Sequence, residues 1–578
     1  MKQLFILFFV IVSCDSNKTS KTYDFTTTFE KSEGTQTATY NETIEFYTNL
    51  AEAYPEISIQ AVGETDSGYP LHIVTFNPDK LFDFETLRTN KRILLINNGI
   101  HPGESDGIDA TMLLFRDLAQ GKIEKPKKTV LVTIPIYNIG GSLNRNSASR
   151  TNQNGPKAYG FRGNARNYDL NRDFIKSDTK NARTFAQIFH LVQPDAFIDN
   201  HVSNGADYQY TLTHLFTQHN KLGGDLGAFI HNTMMPELEH RLEEKSWDIT
   251  PYVNVFNQVP EAGFSQFMDY PRYSTGYTTL WNTLGMMVET HMLKPYKPRV
   301  EGTYELMRSM IDIIEEHGET ISQLRRTQFE KQLTQTNYTL DWQIDTTLTS
   351  TLSFKGFEGE KIPSEITGAQ RLKYDRNQPF TKKVTYQNYF EPSLSVTIPR
   401  AYVIPQGWWT IIDLLKQNKI QMEVLKTDST LTVESYKIAN YKTRTQAYEG
   451  HYQHYATQLE TSTKQITFFK GDYIVSTQQK GLRYLLETLE PQDPDSFFNW
   501  NFFDTILQQK EGFSPYVWED KAKAVLNSHP EVLKAFNYKK SSDEAFANNW
   551  YAQLDWIYKQ SEHYENAHLQ YPVYRIVN

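Results

Sequence analysis

From about Tyr40 to Arg325 the chain alternates short apolar runs with longer stretches that carry apolar residues at helical spacing. Ile93–Ile96, Val130–Ile136 (VLVTIPI), Asp195–Ile198 behind Pro194 and Met286–Val288 are unbroken or nearly so. Runs of that kind read as strands covered on both faces. Ile108–Leu118, Thr184–Val192, Leu222–Glu244 and Thr303–His317 read as helices. Pro236 lies inside the third of these, which predicts a kink or break there, because proline lacks the N–H of the helical ladder. Strands alternating with helices predict an α/β domain with a largely parallel, buried sheet.

After about Gln335 the pattern changes. Residues 338–400 alternate Thr, Tyr and Ser with apolar positions (TLTSTLSF, KKVTYQNYF, LSVTIP), which predicts a small β domain. Ala401–Leu425 reads as strand, helix, strand, and Gln465–Leu489 as a second strand–helix unit. Residues 495–560 are aromatic and helical in texture. The expected division is therefore 40–335 as the catalytic domain, 336–400 as the β domain, and 401–578 as an α/β and helical accessory region. A chain of 578 residues exceeds one hydrophobic core in any case.

The N-terminus changes the picture of where the protein works. Met1-Lys2 is followed by the apolar run Leu4–Val12, too short to remain as a membrane span. Ile11-Val12-Ser13-Cys14 resembles a bacterial lipobox, and Cys14 is the only cysteine. The expectation is a signal peptide over residues 1–14, a lipid on Cys14, and an extracytoplasmic protein anchored to a bacterial membrane, in the periplasm or at the cell surface. Residues 15–39, rich in Ser, Thr and Lys, read as a flexible tether. With a single cysteine there is no intrachain disulfide and no Cys-rich metal site, so any metal ligands are His, Asp or Glu. A net charge of −9 offers nothing for nucleic acid.

Polar groups follow each of four apolar strands: His101 and Glu104, Asn138, His201, and Glu289. In open α/β sheets, ligands bind beyond the carboxyl ends of the strands, so all of these fall on one rim. His101-Pro102-Gly103-Glu104 sits on a Pro-Gly bend that aims both side chains together, and His201 arrives on the same rim. Two His and one Glu with an open position form a catalytic zinc set. A second His-x-x-Glu, His240 and Glu243, lies in a charge-rich helix and reads as a solvated face. Asp106 and Asp109 read as groups at a helix start. Asp199, which alternates with Asn200 across the strand, is a candidate partner for a ligand histidine. Glu289 is the candidate general base. His291 lies two residues beyond it, as bystander or tuner.

The stretch Asn167-Tyr168-Asp169-Leu170-Asn171-Arg172-Asp173-Phe174, between His-Pro-Gly-Glu and a strand-borne His, resembles the zinc carboxypeptidase family over about Thr43–Arg325. The resemblance implies a three-layer α/β/α fold with a mixed, largely parallel sheet, followed here by the β-rich and α/β accessory region. It implies one zinc ion held by His101, Glu104 and His201, with Glu289 as the base acting on a zinc-activated water. It implies that Asn171 and Arg172 grip the terminal carboxylate of a peptide, a task suited to the guanidinium fork. For the arginine that stabilises the oxyanion the choice is Arg150, with Arg145, Arg162 and Arg166 competing. For the mobile tyrosine of the family, Tyr273 and Tyr277 both fit. The segment before Tyr40 is short for an inhibitory pro-domain, which suggests a form active on export. The implied reaction is hydrolysis of the C-terminal peptide bond. The alternative is an amidohydrolase of the same fold acting on peptidoglycan stem peptides or N-acyl amino acids. Trp408-Trp409 and Phe497-Phe498-Asn499-Trp500 read as core, with shaping of the cleft as the other option.

Overall fold

The computed structural model describes residues 23–577. The expected lipobox cysteine, Cys14, lies outside the described residues. Among them no helix is long and apolar enough to cross a membrane.

The apolar runs become the middle of one sheet. Its strands are β1 (Ile57–Glu64), β2 (Pro70–Phe76), β3 (Arg92–Asn97), β4 (Thr129–Ile134), β5 (Ala196–Ser203), β6 (Leu212–Phe216), β7 (Ile249–Pro251) and β8 (Leu284–His291). Among the described residues these eight pair in the order β1-β2-β4-β3-β5-β8-β6-β7. The central four, β4, β3, β5 and β8, are parallel, and the flanks add antiparallel pairings. The sheet is mixed and largely parallel at its centre, and it lies inside an α/β/α sandwich.

Side-chain alternation on β5 shows both layers. Asn200 faces Gly107 of helix Asp106–Ala119, which packs against the long helix Tyr296–Gln332. Phe197 faces the other way and meets the ring of Phe185 on helix Lys180–Val192 at 6.0 Å. Asp199 and His201 share the Phe197 face by the same period of two.

Tyr296–Gln332 runs for 37 residues, far beyond the expected Thr303–His317. Its added turns bury polar side chains, Arg299, Gln328 and Gln332, so an apolar pattern does not mark them. The expected helix over Leu222–Glu244 is broken into Gly224–Phe229, a π-helical turn Ile230–Met234, and Met235–Glu244. The widened turn falls just ahead of Pro236, where the i→i−4 ladder loses its donor.

Two expected boundaries differ from the structure. From residue 23 on, the supposed tether is packed: Thr28–Lys31 is a helical turn with a capping box, Phe29 and Ala38 are buried, and Arg116 bonds Glu30 at 2.6 Å. Residues 336–400 do not stand alone as a β domain either. The long hairpin Ser350–Pro363/Gln370–Gln387 continues onto Phe264–Ser265 and shares a core with Tyr208, Tyr210, Val253 and Val255. Thr and Tyr alternation signalled the strands but not their partner. Beyond residue 400 a six-stranded sheet forms, and its helices and aromatics join the same core as the catalytic sheet, from Phe29 to Val573. The helices between Pro515 and Tyr558 close on a small core of their own around Trp518 and Phe536. Phe497, Phe498 and Trp500 are fully buried, so their core reading holds.

Candidate active site

The carboxyl ends of β3, β5 and β8 bring the site together. His101 and Glu104 follow β3 on the turn that leads into helix Asp106–Ala119. His201 lies near the end of β5, in register with Glu289 on β8. His101, Glu104 and His201 are all buried, and one ligand atom from each lies within 4.8 Å of the others. Both histidines turn Nδ1 inward, each 3.2 Å from Glu104 Oε2. His101 Nδ1 is buried without a hydrogen-bond partner among the described residues, whereas His201 Nδ1 bonds Glu104 Oε2 at 3.2 Å. Two imidazoles and a carboxylate in this arrangement fit a zinc ion with a further position open.

The outer nitrogens are held by carboxylates. His101 Nε2 is 2.8 Å from Asp169 Oδ1, and His201 Nε2 is 2.9 Å from Asp199 Oδ2. Asp199 is fixed in turn by the Asn97 amide, which donates at 2.9 Å. Such partners set the ring orientation and tautomer of ligand histidines. The expected role of Asp199 matches this geometry. The role of Asp169 was missed, although the residue stands inside the Asp-Leu-Asn-Arg run.

The charges are strongly perturbed. Burial opposes ionisation of Glu104, yet His101 and Arg150 hold its carboxyl well below the usual range. Burial would depress His201, but Asp199 and Glu104 lift it well above its ordinary value. Burial pushes Glu289 up to about 7, with His201 opposing and Glu104 reinforcing the shift. A carboxyl poised near neutrality beside a metal set is suited to proton transfer.

One cleft of about 680 Å³ is lined by these four residues together with Arg150, Arg162, Asn171, Arg172 and Tyr273. Arg172 donates to the Asn171 carbonyl at 2.7 Å, and its guanidinium lies 4.5 Å from the centre of the Tyr273 ring. Asn171 Oδ1 accepts the Ser274 amide at 3.1 Å, which leaves its side-chain NH₂ without a partner among the described residues. Arg150 reaches Glu104 Oε1 at 3.0 Å, and its Nε donates to Gln153 at 2.5 Å. Arg162 lies 3.5 Å from the same Glu104 oxygen and 2.9 Å from Asp169. Arg145 and Arg166 are spent elsewhere, on the carbonyls of Ala158 and Asp178.

Tyr277 is not in the cleft. It is 1% exposed, sits among Phe174, Phe185 and Phe189, and donates to Asn418 at 2.6 Å. Tyr273 precedes helix Ser274–Thr279, whereas Tyr277 lies one turn inside it and faces the core. Asn138 stays below the rim, where it caps a short helix and donates to the Ile100 and Arg162 carbonyls. His291 pairs with Asp207 at 3.3 Å and stacks on Tyr208. Asp106 and Asp109 begin their helix but do not cap it. Their carboxylates are buried against Thr290 and Arg299, and against Tyr296 and the Ala38 amide. His240 is exposed and pairs within its helix with Glu244 at 3.5 Å, a solvated face as expected.

Residues 43–203 match the family model described as zinc carboxypeptidase, a stretch that ends at β5 and so precedes Tyr273 and Glu289. A carboxypeptidase 2 of Trichophyton rubrum is 22% identical over 496 residues, covering 81% of this chain and 84% of that protein. Among solved structures, a metallo-carboxypeptidase from Burkholderia cenocepacia aligns with a TM-score of 0.35 at 15% identity, over 47% of this chain and 69% of that one. Carboxypeptidase A from Helicoverpa armigera aligns with a TM-score of 0.37 at 11% identity, over 49% and 74%.

Proposed function

We propose that this chain, whose residues 43–203 match the zinc carboxypeptidase family model, is a zinc metallopeptidase that removes the C-terminal residue of peptides, with Glu289 as general base. The supporting observation is the shared cleft: Arg172, flanked by the Tyr273 ring, opens into the same space as the His101–Glu104–His201 set and Glu289. A cation fork there measures a chain-terminal carboxylate. His101, Glu104 and His201 would hold a zinc ion, which would supply Lewis acidity to the scissile carbonyl and to the attacking water. Glu289 takes the proton from that water and delivers it to the departing amine. Asn171 turns its free NH₂ to the same carboxylate as Arg172. Arg162 is the residue we assign to the oxyanion. Its side chain is 44% exposed in the cleft, against 14% for Arg150.

The test uses the form lacking residues 1–14 and N-blocked dipeptides with free or amidated C-termini, with zinc content read on the same sample. Only free acids should be cleaved. Glu289→Gln should lower kcat by ~10²–10⁴, the usual weight of a general base, and leave zinc bound. Equal cleavage of amides, or none, would overturn the carboxylate clamp and redirect the search to peptidoglycan stem peptides or N-acyl amino acids. Anchoring through Cys14 belongs to the same proposal and rests on the lipobox. Incorporation of labelled fatty acid, lost in Cys14→Ser, is the outcome it requires.

A further inference from the structure

The Asp169–Arg172 segment carries both the partner of His101 and the carboxylate clamp, yet it is a loop with a single 3₁₀ turn, Leu170–Arg172. Something must hold it. The contact comes from far along the chain. Strands Ser429–Thr443 and His454–Phe468 of the C-terminal sheet end in a projecting tip. There Tyr448 and His451 pair across the two residues Glu449 and Gly450. Both have positive φ, +49° and +79°, the signature of a type I′ turn. Glycine takes that conformation freely, but glutamate does so at a cost of about 1 kcal/mol or more. Here the strained residue is also the one that reaches the active site. Glu449 Oε2 accepts the backbone N–H of Asp169 at 2.8 Å, across 280 residues of sequence.

The seat of the tip is built on both sides. Gly450 lies against Tyr168, so closely that an added Cβ would fall 2.5 Å from its hydroxyl oxygen. His451 Nε2 is 2.7 Å from Asp178, which also binds the buried Lys176 at 2.6 Å. Tyr448 stacks on the fully buried Trp500, with ring centroids 6.1 Å apart. Trp500 in turn lies under the Arg272 guanidinium, next to Tyr273.

We propose that the tip Tyr448–His451 is a positioning element of the active site. Glu449 fixes the Asp169 amide and through it the outer nitrogen of His101. The C-terminal module thereby takes part in holding the site. The assignment concerns a ligand of the candidate metal set and does not depend on the proposed carboxypeptidase activity.

The experiment compares the full chain lacking residues 1–14 with Glu449→Ala and Glu449→Gln, each first shown to melt cooperatively. Glu449→Ala removes the acceptor for the Asp169 amide, whereas Glu449→Gln retains one. Zinc affinity by chelator competition should fall ~10-fold in the alanine variant, the weight of a group that orients a ligand from outside, and recover in the glutamine variant. Equal zinc affinity in alanine and glutamine variants would overturn the role of Glu449. Should Glu449→Ala not fold, Gly450→Ala displaces the tip against Tyr168 and is read in the same assay.

Discussion

Several residues of this site do work unlike that of their neighbours of the same type, and the charges around each buried group are what separate them. Glu104 and Glu289 are both enclosed, but cations compensate the first and leave the second poised near neutrality. Asp109 is a third case, away from the ligands. Burial lifts its carboxyl to about 6, with Tyr296 and the Ala38 amide donating against the shift and Asp106 repelling. A folded-state value above the unfolded one, about 4, means that the folded chain holds the proton longer. The stability it contributes is complete below about pH 4 and is lost as pH rises through about 6, a difference on the order of 3 kcal/mol. Asp109→Asn has no proton to lose. Denaturant titrations at pH 4.5, 5.5 and 7.5 should show the wild type weakening relative to the variant as pH increases. A constant gap across that window would show that Asp109 does not titrate in it.

At the scale of elements, the site depends on how closely helix Asp106–Ala119 lies on β5. A Cβ at Gly107 would fall 2.3 Å from Asn200 Cβ and 2.5 Å from Asn98 Oδ1. Asn200 donates to Asn98 at 2.7 Å, just beneath the turn that carries His101. Alanine improves helix propensity by about 1 kcal/mol, but overlap in a packed core costs ~1–3 kcal/mol. Gly107→Ala should therefore lower the melting temperature and also reduce kcat/KM, because helix and strand separate where His101 and His201 must converge. A variant as stable and active as the parent would mean that this approach is not tight. The elements themselves were legible where strands are apolar on both faces, since burial writes itself into composition. His101, Glu104, His201 and Glu289 were legible because strand ends in such a sheet share a rim. Tyr277 was not separable from Tyr273 in the same loop, because only the start of helix Ser274–Thr279 decides which ring faces the cleft. The far turns of Tyr296–Gln332 were hidden because they bury polar groups. Glu449 carries no local signal at all, since its partner is an amide in another part of the chain.

For the molecule as a whole, contacts beyond residue 335 tie the C-terminal region to the catalytic part. Arg483 donates to the carbonyls of Lys221, Leu222 and Thr279, which lie in the catalytic part. Lys221 and Glu487 form an ion pair at 3.0 Å with both side chains almost fully buried. Arg272, beside Tyr273, pairs with Asp495 at 2.8 Å. A buried pair of this kind adds little over an apolar replacement of both partners, but removal of one leaves a charge that the protein cannot solvate. Lys221→Met strands Glu487, with Asp269 and Asp493 close enough to feel the same loss of positive charge. The cost should be about 3–5 kcal/mol. Because the pair joins the two parts, that loss should appear in both at once. Calorimetry of the wild type should give a single transition, and in Lys221→Met the whole transition should move down without splitting. Two resolved transitions, with the catalytic one unmoved by the substitution, would show instead that the C-terminal region folds as a separate unit and that the seat of Glu449 on Asp169 is maintained by local contacts alone.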